Sequence, residues 1–104
     1  MSDNKRKVAI VTGAAKNIGR ATCESLAKLG YNILVHANSD KEGADETIKM
    51  IKQTGILSNR VIGDLTNPET SKELVYEASK LGKVSAIVKN TSQREFNKFE
   101  DMSY

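Results

Sequence analysis

The stretch Val11-Thr-Gly-Ala-Ala-Lys-Asn-Ile-Gly19 decides how the rest of the chain is read. It follows a short apolar run, Lys7-Val-Ala-Ile-Val-Thr12, and leads into a segment whose apolar residues recur at helical spacing. The apolar run predicts a buried parallel strand, the glycines a turn, and the segment beyond a helix. A strand that turns through glycine into a helix gathers backbone N–H donors and the partial positive charge of a helix start at one point. A phosphate group needs those donors, and glycine lets it come close to the backbone. Alone, a glycine-rich turn is weak evidence; between the first strand and first helix of a βαβ unit it carries far more.

The flanking sequence supplies that unit. Ile18, Ala21, Leu26 and Leu29 are expected to line one face of the first helix, with Gly30 as its stop. Asn32 to Ala37 reads as a second strand. Ser39-Asp-Lys-Glu42 has the capping-box form, with the Ser39 hydroxyl as cap, and opens a second helix with Ala44, Ile48 and Ile51 on one face. Gly55 follows its end. Leu57 to Ile62 is a weaker third strand. Asn67-Pro68 begins a third helix, with Asn67 as cap and Pro68 in the first turn, where its missing N–H is not needed. Leu74, Ala78 and Leu81 face the core there, and Gly82 is read as the stop. Val84 to Lys89 is a fourth strand, and residues 90–104 are polar and loop-like.

Strand and helix therefore alternate, which predicts an α/β fold with parallel strands and right-handed crossovers. With the third connection returning past the first strand, the order is 3-2-1-4: a Rossmann-like open sheet of four strands with three helices, a truncated doubly wound fold. The first two helices cover one face and the third the other. The switch point then lies between strands 1 and 4, where open α/β sheets bind ligands. Residues 1–6 read as a basic tail and residues 7–104 as a partial dinucleotide-binding domain.

A chain of 104 residues suits one small domain, able to bury roughly 65% of its unfolded surface. Sixteen Lys and Arg against thirteen Asp and Glu give a net charge of +3. Part of the excess sits in the opening MSDNKRK, too small a footprint for a nucleic-acid partner. The single cysteine, Cys23, excludes an intramolecular disulfide and fits a reducing compartment. With one Cys and one His, a Cys/His metal site is not expected. No apolar run approaches the ~20 residues of a membrane span, and no signal-peptide pattern opens the chain. The expectation is a soluble, cytoplasmic protein with no membrane partner.

The spelling of the turn is more specific than a generic glycine-rich loop. TGAAKNIGRA, residues 12–21, resembles the T-G-x-x-x-G-x-G loop of the short-chain dehydrogenase/reductase family. Gly63-Asp64-Leu65-Thr66 resembles that family's adenine-contacting D-[VL]-T segment, and Val88-Lys89-Asn90-Thr91-Ser92 a variant of its V-N-N-A-G. Phe99-Glu-Asp-Met-Ser103 is similar to the loop that follows in many members. Asn17 stands where the family has a middle glycine; if φ is positive there, Asn is among the residues that tolerate it best.

The resemblance implies a bound nicotinamide dinucleotide and hydride transfer to or from a small carbonyl or alcohol substrate. It places Gly13, Lys16, Asn17, Ile18 and Gly19 at the phosphates, Asn38 and Ser39 at a 2′-phosphate, Asp64 and Leu65 at adenine, and Asn90 at the ribose and the switch-point backbone. An acidic residue ending the second strand would bond a ribose 2′-OH and mark NAD. Here that strand ends His36-Ala37-Asn38-Ser39, so no carboxylate repels a 2′-phosphate, and Lys16 offers it a point charge. NADP(H) is favoured, with NAD(H) possible. His36 at the strand end and Cys23 in the first helix both read as structural.

Tyr76-Glu-Ala-Ser-Lys80 has the family's Y-x-A-S-K spelling for a catalytic pair, and i, i+4 residues do share a helix face. Its place is wrong. The third helix runs away from the cofactor end of the sheet, which puts Tyr76 roughly 12 Å and Lys80 roughly 18 Å along it. No catalytic residue is assigned in this chain. The expectation is a portion of a longer enzyme, with a homo-oligomer among its partner states, whose reacting Ser, Tyr and Lys follow Tyr104. The alternative is an inactive stand-alone nucleotide-binding module that associates with another chain.

Overall fold

The two central strands set the architecture because all of their residues but Lys7 are withdrawn from water. Of Lys7–Val11 (β1) every residue but Lys7 is buried, and all six residues of Asn32–Ala37 (β2) are buried. Strands covered on both faces need helices above and below. The computed structural model describes residues 6–90 and supplies them: Asn17–Lys28 (α1), Lys41–Lys52 (α2) and Pro68–Ser79 (α3), with two further strands, Ser58–Ile62 (β3) and Lys83–Val88 (β4). The sheet is parallel, in the order β3-β2-β1-β4 expected from the sequence. Ala9 pairs with Ile33 on one side and Ala86 on the other.

Alternate residues of the central strands divide the core in two. Cys23 and Ala27 of α1 and Ala44 and Ile51 of α2 join Ala9, Val11, Ile33, Val35 and Ala37 on one face. Leu74 and Ala78 of α3, with Leu81 just beyond, join Val8, Ile10, Leu34 and Val61 on the other. Asn32 is fully buried at the amino edge of the sheet; its Nδ2 donates to the Leu81 carbonyl at 2.7 Å and its Oδ1 accepts from the Leu57 N–H at 2.9 Å. Both ends of the side chain are satisfied, so burial carries little penalty.

Three local expectations are corrected. The buried stripe of α1 is Gly19, Cys23 and Ala27, not Ile18, Ala21 and Leu29. Ile18 and Leu29 are 74% and 75% exposed, and Leu26 is only partly buried. The helix starts so close to the sheet that small side chains fit against it and large ones turn outward. The cap of α2 is Asp40, whose Oδ1 accepts from the Gly43 N–H at 2.9 Å, and not Ser39. Because the first helical residue is Lys41, it is the Asp40 carboxylate that reaches the third N–H of the helix. Finally, α3 ends at Ser79 with Lys80 as its C-cap, ahead of Gly82. Its start is as expected: Asn67 caps the Glu69 N–H at 2.9 Å and Pro68 opens the first turn.

The face that carries α3 is only partly covered. Val75 and Tyr76 on the helix and Ile87 on β4 are largely exposed. Between helix and strand lies a groove of about 260 Å³ whose lining includes Ile10, Leu74, Val75 and Ile87 together with the polar Thr12 and Lys89. Among the described residues no helix is long and apolar enough to cross a membrane, and no group of His, Cys, Asp and Glu could hold a metal ion.

Burial pushes the Cys23 thiol up from 9.0 to about 12. A raised folded-state value means that the native protein holds the thiol proton more tightly than the unfolded chain. The associated stability is complete below about pH 9 and is lost as pH climbs toward 12. Urea unfolding followed from about pH 8 to 11 should therefore cost the wild type ~2–3 kcal/mol more than it costs Cys23→Ala. Parallel losses in the two proteins would contradict this.

Candidate functional site

All four strands run the same way, so the segments that leave their carboxyl ends meet along one edge of the sheet. These are residues 12–16 after β1 with the first turn of α1 that follows them, 38–40 after β2, 63–67 after β3, and Lys89 and Asn90 after β4. Every candidate residue singled out from the sequence lies there: Gly13, Lys16, Asn17, Ile18 and Gly19 at the first junction, Asn38 and Ser39 at the second, Asp64 and Leu65 at the third, Asn90 at the fourth.

The first junction is shaped by close approach. Gly13 has φ +60°, and a β-carbon there would come within 3.1 Å of the Asn90 carbonyl oxygen. At Gly19 a β-carbon would stand 2.1 Å from the Gly13 carbonyl oxygen, nearer than any side chain allows. Asn17 has φ +57°, the left-handed conformation that its short polar side chain tolerates. Lys16 precedes α1 in extended conformation, with its side chain exposed. The N–H groups of Asn17, Ile18 and Gly19 open the helix, where no carbonyl of the preceding turn is available to them.

The loop's carbonyls point elsewhere, and two residues hold them. The Thr47 hydroxyl, fully buried on α2, donates to the Ala14 carbonyl at 2.8 Å. Arg20 on α1 donates from Nη2 to the carbonyls of Ala15 and Gly43, and from Nε to Thr47 Oγ1 at 2.9 Å. Glu46 adds an exposed ion pair to the same guanidinium at 3.4 Å. Neither Arg20 nor Thr47 was singled out from the sequence. The available signal was Thr47 itself, a polar residue at helical spacing between Ala44 and Ile51 on the buried face of α2.

His36 is 3% exposed. Its Nδ1 accepts from the Gly13 N–H at 3.2 Å and its Nε2 lies 2.8 Å from the Gly63 carbonyl oxygen. With Nδ1 accepting, the ring proton sits on Nε2 and is donated to Gly63. The backbone reinforces the tie: Ala14 N–H donates to the His36 carbonyl at 2.8 Å, and Gly63 N–H to the Ala37 carbonyl at 3.0 Å. Across the switch point, Asn90 N–H donates to Thr12 Oγ1 and Asn90 Nδ2 to the Thr12 carbonyl, both at 3.0 Å.

Asp64 is exposed, and its Oδ1 accepts from the Thr66 N–H at 2.9 Å and the Thr66 hydroxyl at 2.8 Å. Those bonds, the backbone one foremost, hold its carboxyl below the ordinary carboxylate value, so it remains an anionic acceptor. Asn38 and Ser39 are exposed, and Ala37 behind them is buried. Tyr76 and Lys80 stand apart, with the Lys80 ammonium 4.5 Å from the Tyr76 ring centre. Lys80 adjoins Leu81, whose carbonyl is held by Asn32 at the opposite edge of the sheet. Residues 91–104, including Thr91, Ser92 and the Phe99–Ser103 segment, lie outside the described residues.

Comparison with known proteins agrees with this geometry. Residues 7–104 match the family model described as short chain dehydrogenase. The chain is 37% identical over 99 residues to glucose 1-dehydrogenase 2 of Bacillus subtilis, covering 94% of this chain and 37% of that protein. It is 35% identical over 100 residues to L-rhamnose 1-dehydrogenase (NADP(+)) of Thermoplasma acidophilum, covering 95% and 39%. The crystal structure of acetoin dehydrogenase YohF from Salmonella typhimurium superposes with a TM-score of 0.76 at 36% identity, over 83% of this chain and 36% of that one. The chain thus spans less than two fifths of the length of each of these proteins. Family match, sheet order and the turn at the end of β1 agree: the chain belongs to the short-chain dehydrogenase/reductase family.

Proposed function

We propose that this chain is the NADP(H)-binding N-terminal portion of a short-chain dehydrogenase/reductase. The observation that carries the reading is the cradle between β1 and α1. Gly13 and Gly19 present no side chain, the Ala14 and Ala15 carbonyls are drawn inward by Thr47 and Arg20, and the first-turn N–H groups of α1 are left for an anion. A dinucleotide pyrophosphate fits that donor set. Gly13, Asn17, Ile18 and Gly19 would hold it, Asp64 and Leu65 would meet the adenine, and Asn90 the ribose and the neighbouring backbone.

The preference for the 2′-phosphate is read from what borders the end of β2. Ala37 occupies the position where a carboxylate would bond a 2′-OH, and Asn38 and Ser39 offer hydrogen bonds instead. Asp40, the next acid, turns its carboxylate into the first turn of α2. Lys16 supplies an exposed positive charge. One relative carries NADP(+) in its name, which supports the same assignment. In the whole protein the bound cofactor supplies hydride exchange with a carbonyl or alcohol substrate. This chain's own residues bind and orient the nucleotide.

Fluorescence titration of the chain with NADPH and NADH tests the reading. NADPH should bind about tenfold more tightly, and Lys16→Ala should remove most of that difference. Equal affinity for the two would overturn the NADP(H) assignment, and no saturable binding of either would overturn the nucleotide site. In the same assay Thr47→Val, which keeps the shape but releases the Ala14 carbonyl, should weaken NADPH about tenfold while the far-ultraviolet circular dichroism stays native.

A further inference from the structure

His36 contributes to two segments that the nucleotide reading assigns to different parts of one ligand. Its Nδ1 takes the Gly13 N–H, at the turn given to the pyrophosphate, and its Nε2–H goes to the Gly63 carbonyl, beside the Asp64–Leu65 segment given to adenine. Those residues are 23 and 27 positions from it in the chain. The ring is buried, and both of its nitrogens are engaged by backbone groups. Gly63 is also closely approached by α3: a β-carbon there would come within 2.6 Å of Thr70 Oγ1. The segment thus meets both the start of α3 and the imidazole.

Resting on the nucleotide assignment, we propose that His36 is a positioning residue that fixes the spacing between the pyrophosphate turn and the adenine segment, so that one ligand engages both at once. A ligand that touches two sites gains more from their connection when their separation is set in advance, because less ordering is left to do on binding. A lone imidazole with one accepting and one donating nitrogen, held between a backbone N–H and a backbone carbonyl, sets it directly. The role is distinct from chemistry on the substrate. It predicts that the imidazole matters for ligands that bridge the two segments and little for ligands that occupy one.

The test compares His36→Phe, which keeps the ring and loses both bonds, with His36→Gln, which retains a donor and an acceptor. Each is titrated calorimetrically with ADP, which bridges the two segments, with adenosine, which reaches only one, and with inorganic pyrophosphate, which reaches only the other. His36→Phe should weaken ADP about tenfold, change adenosine and pyrophosphate by no more than about twofold, and be largely rescued in His36→Gln. Equal loss for ADP and adenosine, or unchanged ADP affinity, would overturn the proposal. Should the phenylalanine protein not fold, the wild-type imidazole decides the matter by nitrogen–proton correlation spectroscopy with ADP bound. A neutral ring with its proton on Nε2 supports the bridge, and a proton on Nδ1 overturns it. Failure of the wild type to bind ADP at all would count against the nucleotide site instead, which separates the two conclusions.

Discussion

The contact between residue 19 and the Gly13 carbonyl governs the rest. No residue with a side chain can stand where Gly19 stands, 2.1 Å from that oxygen at the position its β-carbon would take. This absence lets the first turn of α1 close on the end of β1, and it sets how near the helix lies to the sheet. The small residues that follow at four-residue intervals, Cys23 and Ala27, continue the same close packing. Helix dipole and free N–H groups are thereby delivered to the end of the central strand. Without that contact the strand, the helix and the crevice beside them would all have to shift.

A turn built on such close approach is short of internal hydrogen bonds, and the molecule compensates with polar side chains brought in from elsewhere. Arg20 and Thr47 take its carbonyls, His36 takes one of its N–H groups, and Thr12 and Asn90 join the ends of β1 and β4 just beyond the sheet. No buried side-chain nitrogen or oxygen among the described residues lacks a partner. Fully satisfied buried networks of this kind favour one geometry over its neighbours. An anion bound at the turn as proposed would meet donors already oriented, with little ordering left to do.

Much of this was legible in the sequence, and the reasons differ by element. The sheet order followed from the alternation of apolar strands with capped, amphipathic segments, which local residues such as Pro68 and Asn67 announce. Asn17 in the glycine position was read as a residue that tolerates a positive φ, and its φ is +57°. The inner face of α1 was misjudged because hydrophobicity points to Ile18 and Leu29, whereas distance from the sheet selects for size, and distance is a tertiary quantity. Ser39 and Asp40 are both good caps, and which one serves depends on where the backbone leaves β2. The roles of Arg20, Thr47 and His36 could not be read locally, since each joins segments more than twenty residues apart.

The Thr12–Asn90 link has a consequence for how the chain is made. Its partners are separated by 78 residues, and β1 has its second neighbour only in β4. During vectorial synthesis β1 and β2 can meet early, but the other border of β1 stays open until residue 90 has cleared the ribosome. For that interval a nascent chain presents an unpaired apolar strand, a template for mispairing with other nascent chains. The crevice is the last part of the sheet to be closed, so its appearance marks completion of the four-stranded core.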